Sequence, residues 1–193
     1  MKSINVNHKN HIKSASKRKM KKLLARLYNH ETLSRKEAYE TLVKISAGEM
    51  NEAQMASFMT VFLMRNITVS ELQGFRDALI ELRRPIDLKG QKSIDIVGTG
   101  GDGKNTFNIS TCSAFVVAGA GYKVTKHGNN SASSVSGSSN VLKYFGYEFT
   151  NKQDTLLNQL ERSNICFFHA PLFHPAMKTV GPIRRQLGVK TFF

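Results

Sequence analysis

The stretch Ser-Ile-Asp-Ile-Val-Gly-Thr-Gly-Gly-Asp-Gly-Lys-Asn-Thr-Phe-Asn-Ile-Ser-Thr, residues 93–111, decides the fold of the C-terminal part of this chain. The apolar run Ser93–Val97 predicts a β-strand that leads directly into a glycine-rich loop, Gly98–Gly103. The small apolar residues of Ile109–Ala120 predict a helix after it. Such a loop can hold phosphate, because glycines let the backbone approach an anion and a helix N-terminus attracts negative charge. The spacing G-x-G-G-x-G matches neither a dinucleotide loop nor a P-loop, so a structural turn is the alternative.

Strands and helices continue to alternate after this loop. Further strands are predicted at Tyr122–Thr125, Ile165–Phe168 and Val189–Phe193. Further helices are predicted at Val141–Phe145, Asp154–Leu160 and Ala176–Leu187. This alternation predicts an α/β fold with a mainly parallel sheet.

Residues 20–88 predict a small N-terminal helical domain. Capping boxes begin at Ser34 and Thr68, and another helix begins near Asn51. The residues predicted to be buried on these helices are Ala38, Leu42, Ile45, Met55, Phe58, Met59, Phe62, Leu63, Leu72, Phe75, Leu79 and Leu82. The expected organisation is this domain, a linker at 85–92, and the first, incomplete part of an α/β sheet domain at 93–193.

The N-terminal segment is strongly basic. The net charge of the chain is +14, and residues 1–30 contribute nine Lys or Arg and no Asp or Glu. A basic, disordered tail is predicted at residues 1–19. The alternative is a nucleic-acid contact through residues 1–30, although no aromatic residue before Tyr28 could stack on a base. Met20 is a second candidate for the start of the folded part.

Composition excludes several classes of protein. No stretch reaches the roughly 18 apolar residues that a membrane span needs. Cys112 and Cys166 are the only cysteines, which excludes a disulfide framework, and no Cys/His spacing is typical of zinc. Cys112 is expected in the core. With no signal-peptide pattern at the start, a cytoplasmic protein is predicted.

Two further segments supply hydrogen-bonding side chains beside the glycine loop. Asn108–Thr111 opens the predicted helix with three of them, although Asn108 is also a candidate N-cap. Lys126–Ser134 follows the next predicted strand and contains one Lys, one His, two Asn and three Ser without a carboxylate. Ligand sites gather at the carboxyl ends of parallel strands, so this array predicts a polyanionic ligand.

The order of these segments resembles one enzyme family. Gly98–Gly103, Asn108–Thr111, Lys126–Asn129, and His174–Lys178 running on to Arg184–Gly188 are similar to the blocks of the anthranilate phosphoribosyltransferases. These enzymes form a glycosyltransferase family with pyrimidine nucleoside phosphorylases. The resemblance covers about residues 20–193 and implies transfer of phosphoribose from phosphoribosyl pyrophosphate to the amine of anthranilate, a step of tryptophan biosynthesis.

The resemblance also implies a set of substrate-binding residues: Gly98, Gly101, Asp102, Thr106, Asn108, Ile109, Ser110, Thr111, Lys126, His127, Gly128, Asn129, Asn130, Ser131, Ala132, Ser133, Ser134, Ser138 and Arg184. Lys126 is expected to be a phosphate cation, and Ser110 to contact the cofactor Mg²⁺. His127 and His174 are expected to line the same channel. No side chain is expected to act as a nucleophile, so catalysis rests on positioning and electrostatics.

Anthranilate itself is expected to meet Gly98, Asn129 and Arg184, with the Arg184 guanidinium paired to its carboxylate. Two departures from the family matter. Asn130 stands where many relatives have Arg. The family continues beyond the stretch that ends at Phe193 and there carries an Asp-Glu pair that binds metals, whereas no Asp-Glu pair occurs in this chain. Little or no turnover is therefore predicted for this chain alone.

The resemblance further implies a homodimer formed through the helical domain. Two other functions stay open at this point. One is a pyrimidine nucleoside phosphorylase, which would use the same glycine loop for inorganic phosphate. The other is an impaired or non-enzymatic relative that binds nucleic acid through its basic tail.

Overall fold

The structure, a computed structural model, describes residues 18–98, 106–131 and 136–189. In chain order the helices are α1 (residues 18–28), α2 (Arg35–Ser46), α3 (Glu52–Met64), α4 (Val69–Leu82), α5 (Ile109–Gly119), α6 (Ser138–Tyr144), α7 (Gln153–Ser163), α8 (Ala170–Phe173) and α9 (Met177–Leu187). The strands are β1 (Val124–Gly128) and β2 (Ile165–His169). These elements belong to two compact units: a helical unit, which joins the residues up to Arg83 with those from Pro175 onward, and an α/β unit, Arg84–His174.

Side-chain caps set the starts of three helices in the helical unit. Ser34, Asn51 and Thr68 each accept a hydrogen bond from the amide three residues later, and the side chain at that later position accepts one from the cap amide. Both predicted capping boxes are confirmed, as is the predicted helix start near Asn51. Each such cap stabilises a helix by about 1 kcal/mol.

One apolar core holds the helical unit together. Phe58, Phe75 and Leu42 are among its fully buried side chains, and Val180 and Ile183 of α9 join them. Helix α9 packs on α2 and α3 although it lies far along the chain from them, after the whole α/β unit. The core of this unit therefore draws on both ends of the sequence.

Helices α2 and α4 cross at Gly74. A Cβ atom on Gly74 would overlap the carbonyl oxygen of Arg35 and lie 2.7 Å from Cβ of Ala38. Only glycine allows this approach without a shift of the backbone. The close crossing explains why Gly74 is buried inside a helix, a position where glycine is otherwise unfavourable.

A buried ion pair links the loops of the helical unit. Glu71 is fully buried and accepts hydrogen bonds from Nη2 of Arg65 at 2.6 Å and from the Leu33 amide at 2.9 Å. Burial alone would raise the pKa of Glu71. The bonds from Arg65, Leu33 and Thr68 outweigh it and lower that pKa. The carboxylate is therefore charged and fully used inside the unit.

Three expectations about burial are wrong. Leu63 and Leu72 were expected in the core but are 47% and 46% exposed. Helix α3 is apolar on nearly all sides, so only part of its surface can face one core. On α4 the buried face runs through Glu71, Gly74 and Ala78. Cys112 is exposed as well.

The α/β unit is built on a parallel strand pair. Strands β1 and β2 pair from Val124 opposite Ile165 to Gly128 opposite His169. Ile94 adds a parallel bridge to Val124. Helix α5 connects this bridge to β1, as a parallel crossover requires. The apolar residues form two clusters: Ala114, Ala118, Val124, Leu142, Ile165 and Phe167 in one, and Leu156, Leu160, Cys166 and Phe173 in the other.

The predicted strands are shifted or shortened in the structure. Ser93–Val97 is not a full strand, because only Ile94 pairs, through its bonds with Lys123 and Thr125. Strand β1 runs on to Gly128, so the polar segment predicted as a loop from Lys126 begins inside the strand. Helix α8 was not predicted.

Some predictions fall on residues outside the described ranges. These are the tail at 1–17, the segments 99–105 and 132–135, and positions 190–193 of the predicted last strand. The predicted domain boundaries stay a prediction, and the packing of the described residues assigns α9 to the helical unit. Within the described ranges, no helix is long and apolar enough to cross a membrane.

Candidate ligand site at the strand ends

A polar cross-link fixes the chain just before the glycine loop. Nζ of Lys126 donates to the carbonyl oxygen of Ile96 at 2.7 Å, and the His127 amide donates to Oδ1 of Asp95 at 3.1 Å. Lys126 is 3% exposed, and burial lowers its pKa while Asp95 opposes that shift. The ammonium of Lys126 thus holds the backbone that enters the loop, in addition to supplying positive charge there.

Gly98 lies against the first turn of α5. A Cβ atom on Gly98 would come within 2.9 Å of Oγ of Ser110. The structure therefore brings together two residues that the sequence placed in separate motifs. Asn108 is at the N-cap position of α5 but makes no side-chain cap bond, so its amide group is not used as a cap. Thr106 is exposed and Thr111 is buried.

The segment after β1 is held against the start of α6. The carbonyl oxygen of Asn129 accepts hydrogen bonds from the Ser139 amide at 3.2 Å and the Ser138 hydroxyl at 3.4 Å. A Cβ atom on Gly128 would overlap the Ser138 hydroxyl, and one on Gly137 would overlap the backbone of residues 129–131. The chain on the two sides of residues 132–135 therefore lies in direct contact.

Asn140 closes this segment from the other side. Its Oδ1 accepts hydrogen bonds from the Ser131 amide at 2.9 Å and the Gly137 amide at 3.0 Å. Asn130 is exposed, and its amide bonds to the Asn129 side chain. Sequence reasoning missed Asn140: its bond to Gly137 is a local contact at the start of α6, but its bond to Ser131 joins groups that only the fold brings together.

Two histidine rings face each other in the same unit. The ring centroids of His127 and His174 lie 5.4 Å apart, edge to face. Burial lowers the pKa of His127, and Lys126 adds to this while Asp95 opposes it. Nε2 of His127 is buried and has no hydrogen-bond partner in the described part of the chain. A neutral imidazole with an unused nitrogen is suited to bind a polar ligand atom.

Arg184 lies on α9, in the helical unit. Burial of its half-buried guanidinium lowers its pKa. The expected contact of Arg184 with anthranilate stays a prediction. Gly101, Asp102, Ala132, Ser133 and Ser134 lie outside the described residues, so their expected contacts also stay predictions.

The described donors do not form a metal site of their own. Within the described ranges, no group of three or more His, Cys, Asp or Glu could hold a metal ion. Ser110 offers a neutral hydroxyl at the entrance of α5. Because Mg²⁺ prefers charged oxygen ligands, this hydroxyl fits a metal that arrives on the phosphates of a substrate.

Taken together, the strand ends present hydroxyl and amide groups, a buried ammonium and an unpaired imidazole nitrogen. Such a set can bind several oxygens of a polyanion. Cys166 is not an activated nucleophile, since it is buried and burial raises the pKa of its thiol to about 12. The chemistry available here is orientation and electrostatic stabilisation.

Comparison with known proteins assigns the chain to a family. The model of the glycosyl transferase family's a/b domain matches residues 90–193, and that of the family's helical bundle domain matches residues 21–82. The chain belongs to this glycosyl transferase family. The resemblance and fold class predicted from the sequence, a helical domain followed by the first part of a parallel α/β domain, are confirmed.

The individual relatives carry a more specific name. The anthranilate phosphoribosyltransferase of Flavobacterium psychrophilum is 60% identical over 174 residues, which are 90% of this chain and 53% of the relative. The enzyme of the same name from Bacteroides fragilis is 58% identical over the same shares. The chain thus spans about half the length of the curated relatives it matches.

Solved structures of anthranilate phosphoribosyltransferases have a similar fold. The anthranilate phosphoribosyltransferase of Thermus thermophilus superposes with a TM-score of 0.76 at 36% identity, over 87% of this chain and 51% of that one. The Saccharomyces cerevisiae enzyme in complex with PRPP and Mg superposes with a TM-score of 0.79 at 28% identity, over 90% of this chain and 52% of that one.

Proposed function

We propose that this chain is the part of an anthranilate phosphoribosyltransferase that binds phosphoribosyl pyrophosphate. The observation that carries the proposal is the convergence at the strand ends, where Gly98 meets Ser110 and Gly128 meets Ser138. The first contact joins the glycine loop to the start of α5, and the second joins the end of β1 to the start of α6. The bond from Lys126 to Ile96 links β1 to the entry of the glycine loop. The names and the bound ligand of the relatives supply the substrate.

The roles of the residues follow from their positions. Ser110 and Ser138 have hydroxyl groups beside glycines, where the backbone can come close to phosphate oxygens. Asn108 keeps a side chain that caps nothing. Lys126 holds the entry of the glycine loop through Ile96 and lowers the cost of negative charge nearby.

The reaction requires little covalent chemistry from the protein. The amine nitrogen of anthranilate forms a bond to C1 of the ribose, and the bond from C1 to the pyrophosphate oxygen breaks. Pyrophosphate leaves with the electron pair, and the amine releases a proton to solvent. Positive charge develops at C1 while negative charge grows on the leaving group, so orientation and electrostatic stabilisation supply the rate.

Mg²⁺ fits this scheme as a metal carried by the substrate's diphosphate and contacted by Ser110. When bound, it would neutralise charge that builds on the leaving pyrophosphate. His127 offers its unpaired Nε2 to a polar group of a substrate, beside His174. Arg184 pairs with the anthranilate carboxylate.

We further propose that the protein works in the cytoplasm, in tryptophan biosynthesis, as a homodimer formed through the helical unit. Several large apolar side chains of that unit are exposed, among them Met64 at 78% and Val69 at 72%. Exposed apolar surface of this kind supports association with a second copy. Analytical ultracentrifugation tests the dimer, and a strictly monomeric chain at micromolar concentration would remove this part of the proposal.

Binding of phosphoribosyl pyrophosphate with excess Mg²⁺, measured by calorimetry, tests the ligand. Ser110→Ala is expected to weaken binding about tenfold, the effect of one lost hydrogen bond to a charged group. Ser163→Ala, which removes a hydroxyl at the end of α7 that bonds to backbone carbonyls, is the matched control and should bind normally. No binding by the parent chain, or binding of inorganic phosphate with turnover of thymidine instead, would overturn the proposal.

The acceptor is tested separately. Arg184→Ala should weaken anthranilate by about ten- to a hundredfold, because a charge-assisted pair is lost, and should leave phosphoribosyl pyrophosphate nearly unaffected. Arg185→Ala, the exposed neighbour on α9, is the control. Equal losses for both substrates would show that Arg184 is structural. Turnover by the chain alone, followed by anthranilate fluorescence, is expected to be slight because the sequence lacks the family's Asp-Glu pair.

A further inference from the structure

His169 ends strand β2 opposite Gly128, which was predicted to bind the substrate, and nothing in the proposed reaction uses His169. Its side chain is buried, with 7% exposure, and it pairs in register with Gly128 at the end of β1. Its ring stacks on Phe149, with centroids 4.6 Å apart and planes inclined by 25°. The imidazole is therefore fixed in position at the carboxyl ends of both strands.

A hydrogen bond connects this ring to the start of α6. Nδ1 of His169 lies 2.9 Å from Oγ of Ser139, and Ser139 is 1% exposed. The Ser139 amide in turn donates to the carbonyl oxygen of Asn129 at 3.2 Å. The link therefore runs from the end of β2 through α6 to the segment that follows β1.

The neighbouring residues depend on the same turn of helix. Ser138 precedes Ser139, and its hydroxyl donates to the Asn129 carbonyl. The Ser138 hydroxyl also lies where a side chain on Gly128 would be. A shift of the first turn of α6 would move the Ser138 hydroxyl and release the Asn129 carbonyl together.

We propose that His169 is a positioning residue that, through Ser139, fixes the Ser138 hydroxyl and the Asn129 backbone for the diphosphate of the substrate. The identity of the ligand rests on the proposed function. The positioning itself rests only on the contacts of His169, Ser139 and Asn129.

The surroundings of the ring make this link sensitive to acid. Burial lowers the pKa of His169, and Lys143 on α6 and His127 on β1 lower it further. Among the described residues, Lys143 and His127 are the ionisable groups that act on the ring, and helix α8, which follows it, carries no ionisable side chain. A proton on His169 would add a buried positive charge close to Lys143 and His127, which weakens the link as the pH falls.

Hydrogen exchange of the full chain, resolved by residue, tests the positioning. His169→Phe keeps an aromatic ring against Phe149 but removes the bond to Ser139, and Ser139→Ala removes the bond from the other side. Each variant is expected to speed exchange of the Ser131 and Ser139 amides about tenfold, the effect of one buried hydrogen bond. The Leu156 amide in α7 is the control in the same unit and should be unchanged.

Three readouts separate positioning from simple packing. The double variant should be no worse than either single variant, because both break one link. His169→Asn, which returns a hydrogen-bonding group near Nδ1, should restore most of the protection. In the parent chain, the exchange of Ser139 relative to Leu156 should rise as the pH falls from about 7 to 5, and this rise should vanish in His169→Phe.

Additive effects, an equal change at Leu156, or unchanged exchange at Ser131 and Ser139 would overturn the proposal. Calorimetry with phosphoribosyl pyrophosphate and Mg²⁺ then tests the proposed function separately from the positioning role of His169. Faster local exchange in a chain that never binds this ligand would leave the positioning standing and refute the ligand. Normal binding by both variants with unchanged exchange would refute the positioning and leave the ligand standing.

Discussion

Helices α2, α3 and α4 of the helical unit begin differently from helix α5 of the α/β unit. In the helical unit, α2, α3 and α4 each start with a side chain that caps the helix reciprocally. In the α/β unit, α5 starts at Asn108, which makes no side-chain cap bond. The side chains at the starts of α2, α3 and α4 thus stabilise these helices, whereas the Asn108 side chain at the start of α5 makes no cap bond.

Packing differs in the same way. The helical unit has one core that includes Phe58, Phe75 and Leu42, whereas the α/β unit has two smaller clusters. Phe107 and Val116 at α5 are 72% and 71% exposed. A helix bundle can bury many apolar faces through contacts between helices that are close in sequence. A parallel sheet needs helices on its faces, and these come from segments far away in sequence. The helical unit is therefore held by one continuous core, whereas the α/β unit depends on two separate clusters.

The largest effect is expected in the helical unit, at its buried ion pair. Glu71→Leu should cost about 3–5 kcal/mol, because it leaves the Arg65 guanidinium buried without its partner. Urea unfolding followed by residue-resolved hydrogen exchange measures the loss. Glu40→Gln, which removes only exposed pairs with Lys36 and Lys44, is the control and should cost less than about 0.5 kcal/mol. Similar losses for both variants would show that the pair does not hold the unit.

A smaller effect is expected in the α/β unit, at the junction of β1 and α6. Gly137→Ala should cost about 1–3 kcal/mol, since its Cβ would press on the backbone of residues 129–131. It should also weaken binding of phosphoribosyl pyrophosphate. Gly119→Ala, at the end of α5 with open space around it, should be neutral or stabilising by up to about 1 kcal/mol. Normal stability and binding in the Gly137 variant would contradict the contacts described for this junction.

The two kinds of helix start can be compared directly. Ser34→Ala should destabilise the helical unit by about 1 kcal/mol through loss of its cap. Asn108→Ala should change stability by less than about 0.5 kcal/mol, because its side chain caps nothing, yet it should weaken ligand binding. Thermal unfolding and calorimetry on the same samples check both. An equal loss of stability in the two variants would erase the distinction between the units.

The smallest expected effect is a difference in acid stability: as the pH falls, the α/β unit should lose stability before the helical unit. Desolvation lowers the pKa of His127 and of His169 from the ordinary value of 6.5, so the unfolded chain binds more protons and the α/β unit loses stability as the pH falls below about 6.5. In the helical unit the Arg26 guanidinium, with help from Ser34, holds the pKa of Glu37 at about 2. The Glu37 carboxylate therefore contributes stability to the helical unit above about pH 4.5, and this contribution is lost only as the pH falls below that value. Hydrogen exchange from about pH 7.5 downward should show the α/β unit opening first, and simultaneous opening would contradict this.

Local signals explain what could be predicted from the sequence. The capping boxes at Ser34 and Thr68 set helix starts because both partners lie within four residues of each other. The strand at Lys126–Gly128 could not be predicted, since polar residues usually mark the end of a strand. Its polar groups are bonded to Ile96 and Asp95, which lie far away in sequence and which only the fold brings near.

The same reasoning applies to the candidate site. The glycine loop and the donor array were recognisable as motifs, and the structure brings Gly98 to Ser110. His169 gave one weak signal, its place at the end of a predicted strand, where ligand sites gather. Its partner Ser139 is thirty residues earlier and gave none. Contacts between distant polar side chains are what the sequence alone leaves undetermined.

The membership of α9 in the helical unit has a consequence during synthesis. Val180 and Ile183 complete the core that Leu42, Phe58 and Phe75 begin, so the first unit to leave the ribosome cannot close its core at once. The core of the helical unit stays incomplete while residues 84–174 are made, which takes roughly 5 to 20 s at ordinary rates of translation. During that interval the apolar surface that α9 covers in the folded unit lacks its cover, and exposed surface of this kind favours aggregation.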